Sequence, residues 1–290
     1  MERRLFKFAG IEIEVSMPGE RFYKDEYRLA PFRTDFCQEP HTIKFSWVEE
    51  FSEPVGKLVS KEGLKFIYSE KNEQIRFLNV REGEWKRADL RVVHKGKVHE
   101  VEVRKAAFPG RIGLKTVLEC MSVEHLILEE NAFLLHCSYI RVRGKAILFT
   151  APSETGKSTQ AELWKTLRGA DIVNGDRGAI RLKEGKILAE GVPFAGSSEY
   201  CKNESLPIEA IVYLEQASNT SIRRLQGHEA FSSIWKGCSV NTWNRNDVEK
   251  LVSLVMQAAV RVPVFHLACT PDESAVIALE KAIMESEGAR

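Results

Sequence analysis

The chain of 290 residues carries 42 Lys and Arg against 41 Asp and Glu, for a formal net charge of +1, with 43% hydrophobic, 29% charged and 9% aromatic residues. Near-neutrality removes the whole-molecule electrostatic case for a nucleic-acid or membrane-surface partner, and no apolar run approaches the roughly 20 residues needed to span a bilayer. At about 100 to 200 residues per domain, the length predicts two domains.

The opening MERRLFKFAGIEIEV alternates instead of running into the apolar stretch of a secretory signal, so the expected location is the cytoplasm. The six cysteines, Cys37, Cys120, Cys137, Cys201, Cys238 and Cys269, form no CxxC pair. They read as reduced, buried small hydrophobes. From residue 1 to 111 the pattern has period two with turn residues between the runs: GIEIEV, HTIKFSWV, LKFIYS, QIRFLNV and DLRVVHKGKVHEVEV. This half is expected to be a β-rich domain. Its last run reads as a hairpin turning at Lys95-Gly96, with His94 and His99 on the surface beside the turn.

AAFPGRIGL, at 106 to 114, is boundary chemistry, and from residue 112 to 290 the period changes. A helix is expected from Thr116 to Leu128. Strands and helices then alternate through LLHCSYIRV, AILFT, a helix over about 157 to 167, ADIVN, the hairpin AIRLKEGKILAEG, AIVYL and SIRRL. Helices over 228 to 236 and 246 to 260, the strand VPVFHLACT and a final helix complete the chain. Thr270, Pro271 and Glu273 give that last helix its start signal. The second half is therefore expected to be an α/β domain with a mixed sheet.

Between strand AILFT and the following helix stands Ala151-Pro152-Ser153-Glu154-Thr155-Gly156-Lys157-Ser158-Thr159, which matches GxxxxGK[ST] except at its first residue. In such a P-loop, backbone N–H groups and the helix N-terminus converge on phosphate oxygens. Ser153 to Thr159 are the expected nucleotide-phosphate contacts, with Lys157 on the β- and γ-phosphates and the Ser158 hydroxyl on Mg²⁺. Glu154 is expected to face solvent, because a carboxylate pointing inward would repel phosphate. The chemistry also needs a carboxylate at the end of a neighbouring strand. IVNGDRG supplies Asp176, placed by a parallel crossover beside the loop, although Asn-Gly-Asp is equally the chemistry of a plain turn. Arg177, Lys202 and Arg223 are weaker candidates for a phosphate clamp, and Ser197-Ser198-Glu199 for an acceptor-side loop.

Taken together, LLHCSYIRVRGKAILFTAPSETGKSTQAELW and IVNGDRGAI resemble the HPr serine kinase/phosphorylase family, of the HPr kinase and phosphoenolpyruvate carboxykinase superfamily. VPFAGSSEYCKNESLPIEAIVYLEQA and VPVFHLACTPDESAVIALEKAI look more like the small kinase-like proteins of peptide-modification gene clusters. The resemblance covers about 112 to 290. It implies a P-loop fold, ATP and Mg²⁺ as cofactors, His136 as a γ-phosphate or Asp176 partner, and Asp176 as metal ligand and base. Four residues depart from the family pattern: Cys137 after the His, Ala151 and Glu154 where the loop has glycines, and Gly175 in place of a first aspartate. The implied activity is transfer of the γ-phosphate to a hydroxyl, with a serine of a peptide or small protein as acceptor. A small-molecule hydroxyl kinase and a non-catalytic ATP-binding sensor stay open as alternatives, as does the oligomeric state, a homo-oligomer included.

Overall fold

The computed structural model describes residues 2–17, 28–52, 54–62, 65–69, 75–79, 88–107, 118 and 121–288. The chain divides into two compact units, Met1–Leu126 and Ile127–Arg290. Together they are mixed α/β, with five α-helices and mixed sheets among the described residues. Among these residues no helix is long and apolar enough to cross a membrane. The expected boundary over 106 to 114, the first turns of the helix expected from Thr116, and Cys120 fall largely or wholly outside the described residues. The helix that follows, α1, spans Val123–Glu129.

The first unit is built on one nine-stranded sheet. Its strands are β1 (Glu2–Phe8), β2 (Ile11–Met17), β3 (Arg33–Thr34), β4 (His41–Val48), β5 (Lys57–Glu62), β6 (Lys65–Ser69), β7 (Ile75–Asn79), β8 (Leu90–Lys95) and β9 (Val98–Arg104). They lie in the order β3-β1-β2-β4-β9-β8-β7-β6-β5. The period-two runs bury alternate residues: Ile13 and Val15 on β2, Ile43 on β4, and Val101 and Val103 on β9 are all shielded from solvent. The expected hairpin forms, with Lys95 paired to Val98 so that Gly96 and Lys97 make the turn.

The expected surface placement of His94 and His99 is overturned. His99 is completely buried and His94 half-buried, because β4 pairs in parallel with β9 and turns the hairpin from an edge into the interior of the sheet. The alternation that buries Val101 and Val103 buries His99 with them. His99 Nε2 lies 2.9 Å from Nδ1 of His41 on β4, and its Nδ1 lies 2.8 Å from Nδ1 of His94.

The second unit has a different plan. Its strands are β10 (Ala132–Val142), β11 (Lys145–Thr150), β12 (Asp171–Asn174), β13 (Arg177–Lys183), β14 (Lys186–Glu190), β15 (Ser205–Gln216), β16 (Ser221–Leu225) and β17 (Val264–Cys269). Its helices are α2 (Lys157–Arg168), α3 (Gly227–Trp235), α4 (Arg245–Arg261) and α5 (Glu273–Gly288). The strand order is β11-β10-β13-β14-β15-β17-β16, and β11 also pairs with β15, so five strands close on themselves.

The long strand β10 organises this unit. Residues 132–136 pair with β13, while 137–142 pair with β11 and, from Tyr139 to Arg141, with β12 on the other side. Since β11 and β12 are each antiparallel to β10, they run parallel to one another with β10 between them. A parallel crossover thus links β11 to β12 through α2, with one strand intervening where direct adjacency was expected.

Two apolar clusters hold the unit together. Leu135, Tyr139, Leu148 and Val173 pack towards α3 and α4 through Ile234, Leu251 and Val255. Ile147, Phe149, Ala161, Trp164 and Val212 pack towards α5 through Val276 and Leu279. On α2, Ala161 and Trp164 are buried, while Leu163 and Leu167 are half-buried. Helix α5 begins two residues later than its start signal suggested: Asp272 Oδ1 accepts from the Ser274 N–H at 2.8 Å, and Thr270 donates to Asp272 instead of capping. The described cysteines are all free, with Cys137, Cys201 and Cys269 buried and Cys37 and Cys238 partly so.

Candidate functional site

Strand β11 ends at Thr150 and α2 begins at Lys157, so residues 151–156 form the connection between them. Gly156 is the helix N-cap, in the left-handed region at φ +107°, and no side chain caps the first turn. The backbone N–H groups of that turn are therefore left for an outside acceptor, with the positive end of the helix dipole behind them. Glu154 is exposed and left-handed at φ +64°, which aligns with its expected orientation towards solvent, and its carbonyl accepts from Gln216 Nε2 at 3.2 Å. Ala151 is buried and does not need a positive φ.

Lys157 is 7% exposed, and its ammonium donates to the carbonyls of Ala151 at 3.1 Å and Pro152 at 3.0 Å. Burial lowers its pKa, and the nearby Asp176 carboxylate opposes that shift. The loop thus folds onto its own lysine.

Asp176 stands in the turn between β12 and β13, and a buried asparagine shapes that turn. Asn174 Oδ1 accepts from the N–H groups of Asp176 and Arg177, both at 2.9 Å, while Asn174 Nδ2 donates to the carbonyls of Val192 and Phe194. Every polar atom of the amide side chain is used, as burial demands. His136, on β10, puts Nε2 3.4 Å from Asp176 Oδ1, and Arg177 puts Nε 3.5 Å from Oδ2. The hydrogen bond from His136 holds the Asp176 carboxyl below its ordinary pKa despite partial burial, with Arg177 and Lys157 adding to the effect. The group is ionised at neutral pH.

The segment 193–200 closes over this turn from the other side. Gly196, at φ +52°, lies so close to Asp176 that a Cβ there would sit 2.7 Å from the carboxyl carbon. Gly196→Ala is expected to destabilise the chain by about 1–3 kcal/mol, through a strained left-handed alanine and a displaced carboxylate, measurable by urea unfolding. Gly175 is packed as closely: a Cβ there would sit 2.2 Å from Ser198 Oγ.

Ser158 and Asp176 line one cleft of about 410 Å³, together with Glu162, Gly175, Ser198 and Tyr200. Ser197 and Glu199 line it too, which joins the acceptor-side segment singled out in the sequence to the same cavity. Tyr200 accepts from Lys165 Nζ at 2.7 Å. The Ser158 hydroxyl and the ionised Asp176 are hard oxygen donors, of the kind that suits Mg²⁺, an ion that keeps several waters and takes only one or two protein ligands. Among the described residues no group of three or more His, Cys, Asp or Glu could form a dedicated metal cage.

No family model and no curated protein matches this chain. Among solved structures, the HPr(Ser) kinase/phosphatase from Coxiella burnetii aligns at 10% identity and a TM-score of 0.35, covering 54% of this chain and 93% of that one. A likeness that distant assigns no role to any residue here.

The structure brings together Lys157, Ser158, Asp176 and His136 around the end of β11 and the middle of β10. It turns two other sequence candidates elsewhere. Lys202 pairs with Asp171, and Arg223 forms two 2.8 Å bonds with Glu229. Asn174 and Gly196 were not singled out in the sequence. Asn174 carries a local signal in Asn-Gly-Asp, whereas Gly196 meets Asp176 only through tertiary packing.

Proposed function

We propose that the chain is an ATP-dependent phosphotransferase that moves the γ-phosphoryl group to a hydroxyl, with a serine of a peptide or small protein as the favoured acceptor. The observation that carries this reading is the single cleft shared by the first turn of α2 and a histidine-supported carboxylate. Phosphoryl transfer asks for positioning and charge neutralisation more than for covalent chemistry. The N–H groups of the 153–158 loop and Lys157 hold the triphosphate. Asp176, ionised beside its histidine and arginine neighbours, orients the acceptor hydroxyl and takes its proton as the oxygen attacks the γ-phosphorus in line, the bond to the β–γ bridging oxygen breaks and ADP leaves.

Mg²⁺, held by Ser158 and Asp176, supplies charge neutralisation at the phosphates. His136 fixes the Asp176 carboxylate through Nε2. The depressed pKa of Asp176 makes it a weak base, in keeping with a loose transition state in which the proton leaves late.

Incubation with Mg-ATP and serine-containing peptides, read by mass spectrometry as an added phosphate, tests the activity. ATP binding without transfer to any peptide, protein or small hydroxyl acceptor would favour a nucleotide sensor. Lys157→Ala is expected to weaken ATP binding by about 10- to 100-fold, the loss of one charge-assisted contact at 1.5–3 kcal/mol. Unchanged affinity by calorimetry would remove the loop from the site.

A further inference from the structure

A second pair of cavities lies in the same unit at the far end of α2 and β11, away from Lys157. One, of about 110 Å³, has an apolar wall of Ile147, Trp164, Ile283 and Met284, the turn residues Val142 and Arg143, and at its rim Glu280 and the Lys145–Glu209 ion pair. The other, of about 200 Å³, is lined by arginines and shares Val142, Arg143 and Glu280 with the first. An apolar hollow thus opens beside a polar one, with Arg143 on the wall between them.

Charge pairing singles out Arg143. Arg141 bonds Asp171 at 2.7 Å and Glu204 at 3.1 Å, Arg168 bonds Glu280 at 2.8 Å, and Lys145 pairs with Glu209 at 2.5 Å. Arg143 has no carboxylate within 4 Å among the described residues, and it is exposed at the β10–β11 turn, at φ +49°. Arg143 is therefore the cation on these walls that an incoming anion can pair with.

A separate observation comes from Trp164. The residue is 1% exposed and its indole Nε1 has no hydrogen-bond partner. A buried N–H without an acceptor costs about 1–3 kcal/mol, and buried indoles usually find one. Met284, which borders the same cavity, is 56% exposed. An apolar body in this cavity would lie against the indole and cover the methionine together.

We infer that this pair of cavities is a binding site for a small amphipathic monocarboxylate, with its carboxylate at Arg143 and its apolar body against Ile147, Trp164, Ile283 and Met284. The smaller cavity is near the size of the ~150 Å³ apolar cavities that accept a benzene ring, so the body is one small ring or a short alkyl chain. Recognition combines a charge-assisted contact at the mouth with apolar burial behind it.

3-Phenylpropanoate is the probe, with 3-phenylpropan-1-ol and 3-phenylpropylamine as its neutral and cationic counterparts, titrated into the full chain. The readout is the Trp164 indole N–H resonance, identified by its loss in Trp164→Phe. The acid is expected to shift that resonance and to bind at least tenfold more tightly than the alcohol or the amine. Arg143→Asn, chosen because asparagine tolerates the left-handed turn position, is expected to erase the preference for the acid and leave the alcohol's affinity unchanged. Equal affinity for the three compounds, an unmoved Trp164 resonance at millimolar acid, or a preference that survives Arg143→Asn would each overturn the assignment.

Discussion

Asp176→Asn is expected to lower the rate of phosphoryl transfer about a thousandfold while ATP affinity stays within about threefold of the parent. The magnitude is that of removing a positioned general base, typically 10²- to 10⁴-fold. The change is confined to the carboxylate, because the turn is held by Asn174 through the backbone N–H groups of residues 176 and 177 and not by the Asp176 side chain. Single-turnover assays with Mg-ATP and a phosphorylatable peptide, together with calorimetry, separate the two quantities. Transfer at parental rate in the variant would remove Asp176 from the chemistry.

The pH profile gives an independent check. With its pKa held below the ordinary carboxylate range, Asp176 stays ionised from neutral pH down into the mildly acidic range, so its protonation shows only as an acid limb. The largest cause of that depression is the hydrogen bond from His136. His136→Gln should therefore move the acid limb upward, towards ordinary carboxylate values. An unmoved limb would show that Asp176 is not the group being titrated.

The second large effect concerns stability of the first unit in mild acid. His99 is buried between His41 and His94, and burial pushes its pKa down from 6.5 to about 3, with the charges of His41 and His125 acting in the same direction. The unfolded chain binds this proton below pH 6.5 and the folded chain does not. The stabilisation is therefore complete above 6.5 and is lost as pH falls towards 3.

One proton gives a slope of up to about 1.4 kcal/mol per pH unit, or roughly 2–3 kcal/mol between pH 6.5 and 4.5. That interval lies above most carboxylate titration, including that of Glu12 and Glu39, whose pKa values are also lowered. Urea unfolding of the first unit across it should show the slope, and His99→Leu should flatten it. Should that variant not fold, the imidazole nitrogen shifts of His99 in the parent provide the same test: they are expected to report a neutral ring at pH 4.5. A protonated ring there, or an unchanged slope in the variant, would refute the account.

Much of the site could be read locally. A loop with Gly156-Lys157-Ser158 between an apolar strand and an amphipathic helix is a contiguous signal, because the N–H groups that would meet phosphate belong to the residues that spell the motif. Asp176 was legible for a similar reason, as the carboxylate that follows the next strand. His94 and His99 were misplaced because a hairpin's own sequence does not reveal whether another strand covers its flank. Thr270 was misjudged as a cap because Asp272, two residues on, accepts from the Ser274 N–H and takes the Thr270 hydroxyl as a donor as well.

The sequence by itself determined the elements: period two through the first unit, alternating strand and helix through the second, and the loop, lysine and serine of the candidate phosphate site. These depend on interactions within a few residues, and side-chain spacing along one element records them directly. Only the tertiary structure decided that β10 lies between β11 and β12 and brings His136 to Asp176, that Ser198 fills the space beside Gly175, and that Gly196 backs the carboxylate. The His136–Asp176, Gly175–Ser198 and Asp176–Gly196 contacts join residues from 20 to 40 positions apart, where packing of whole strands sets the distances and no local pattern encodes them.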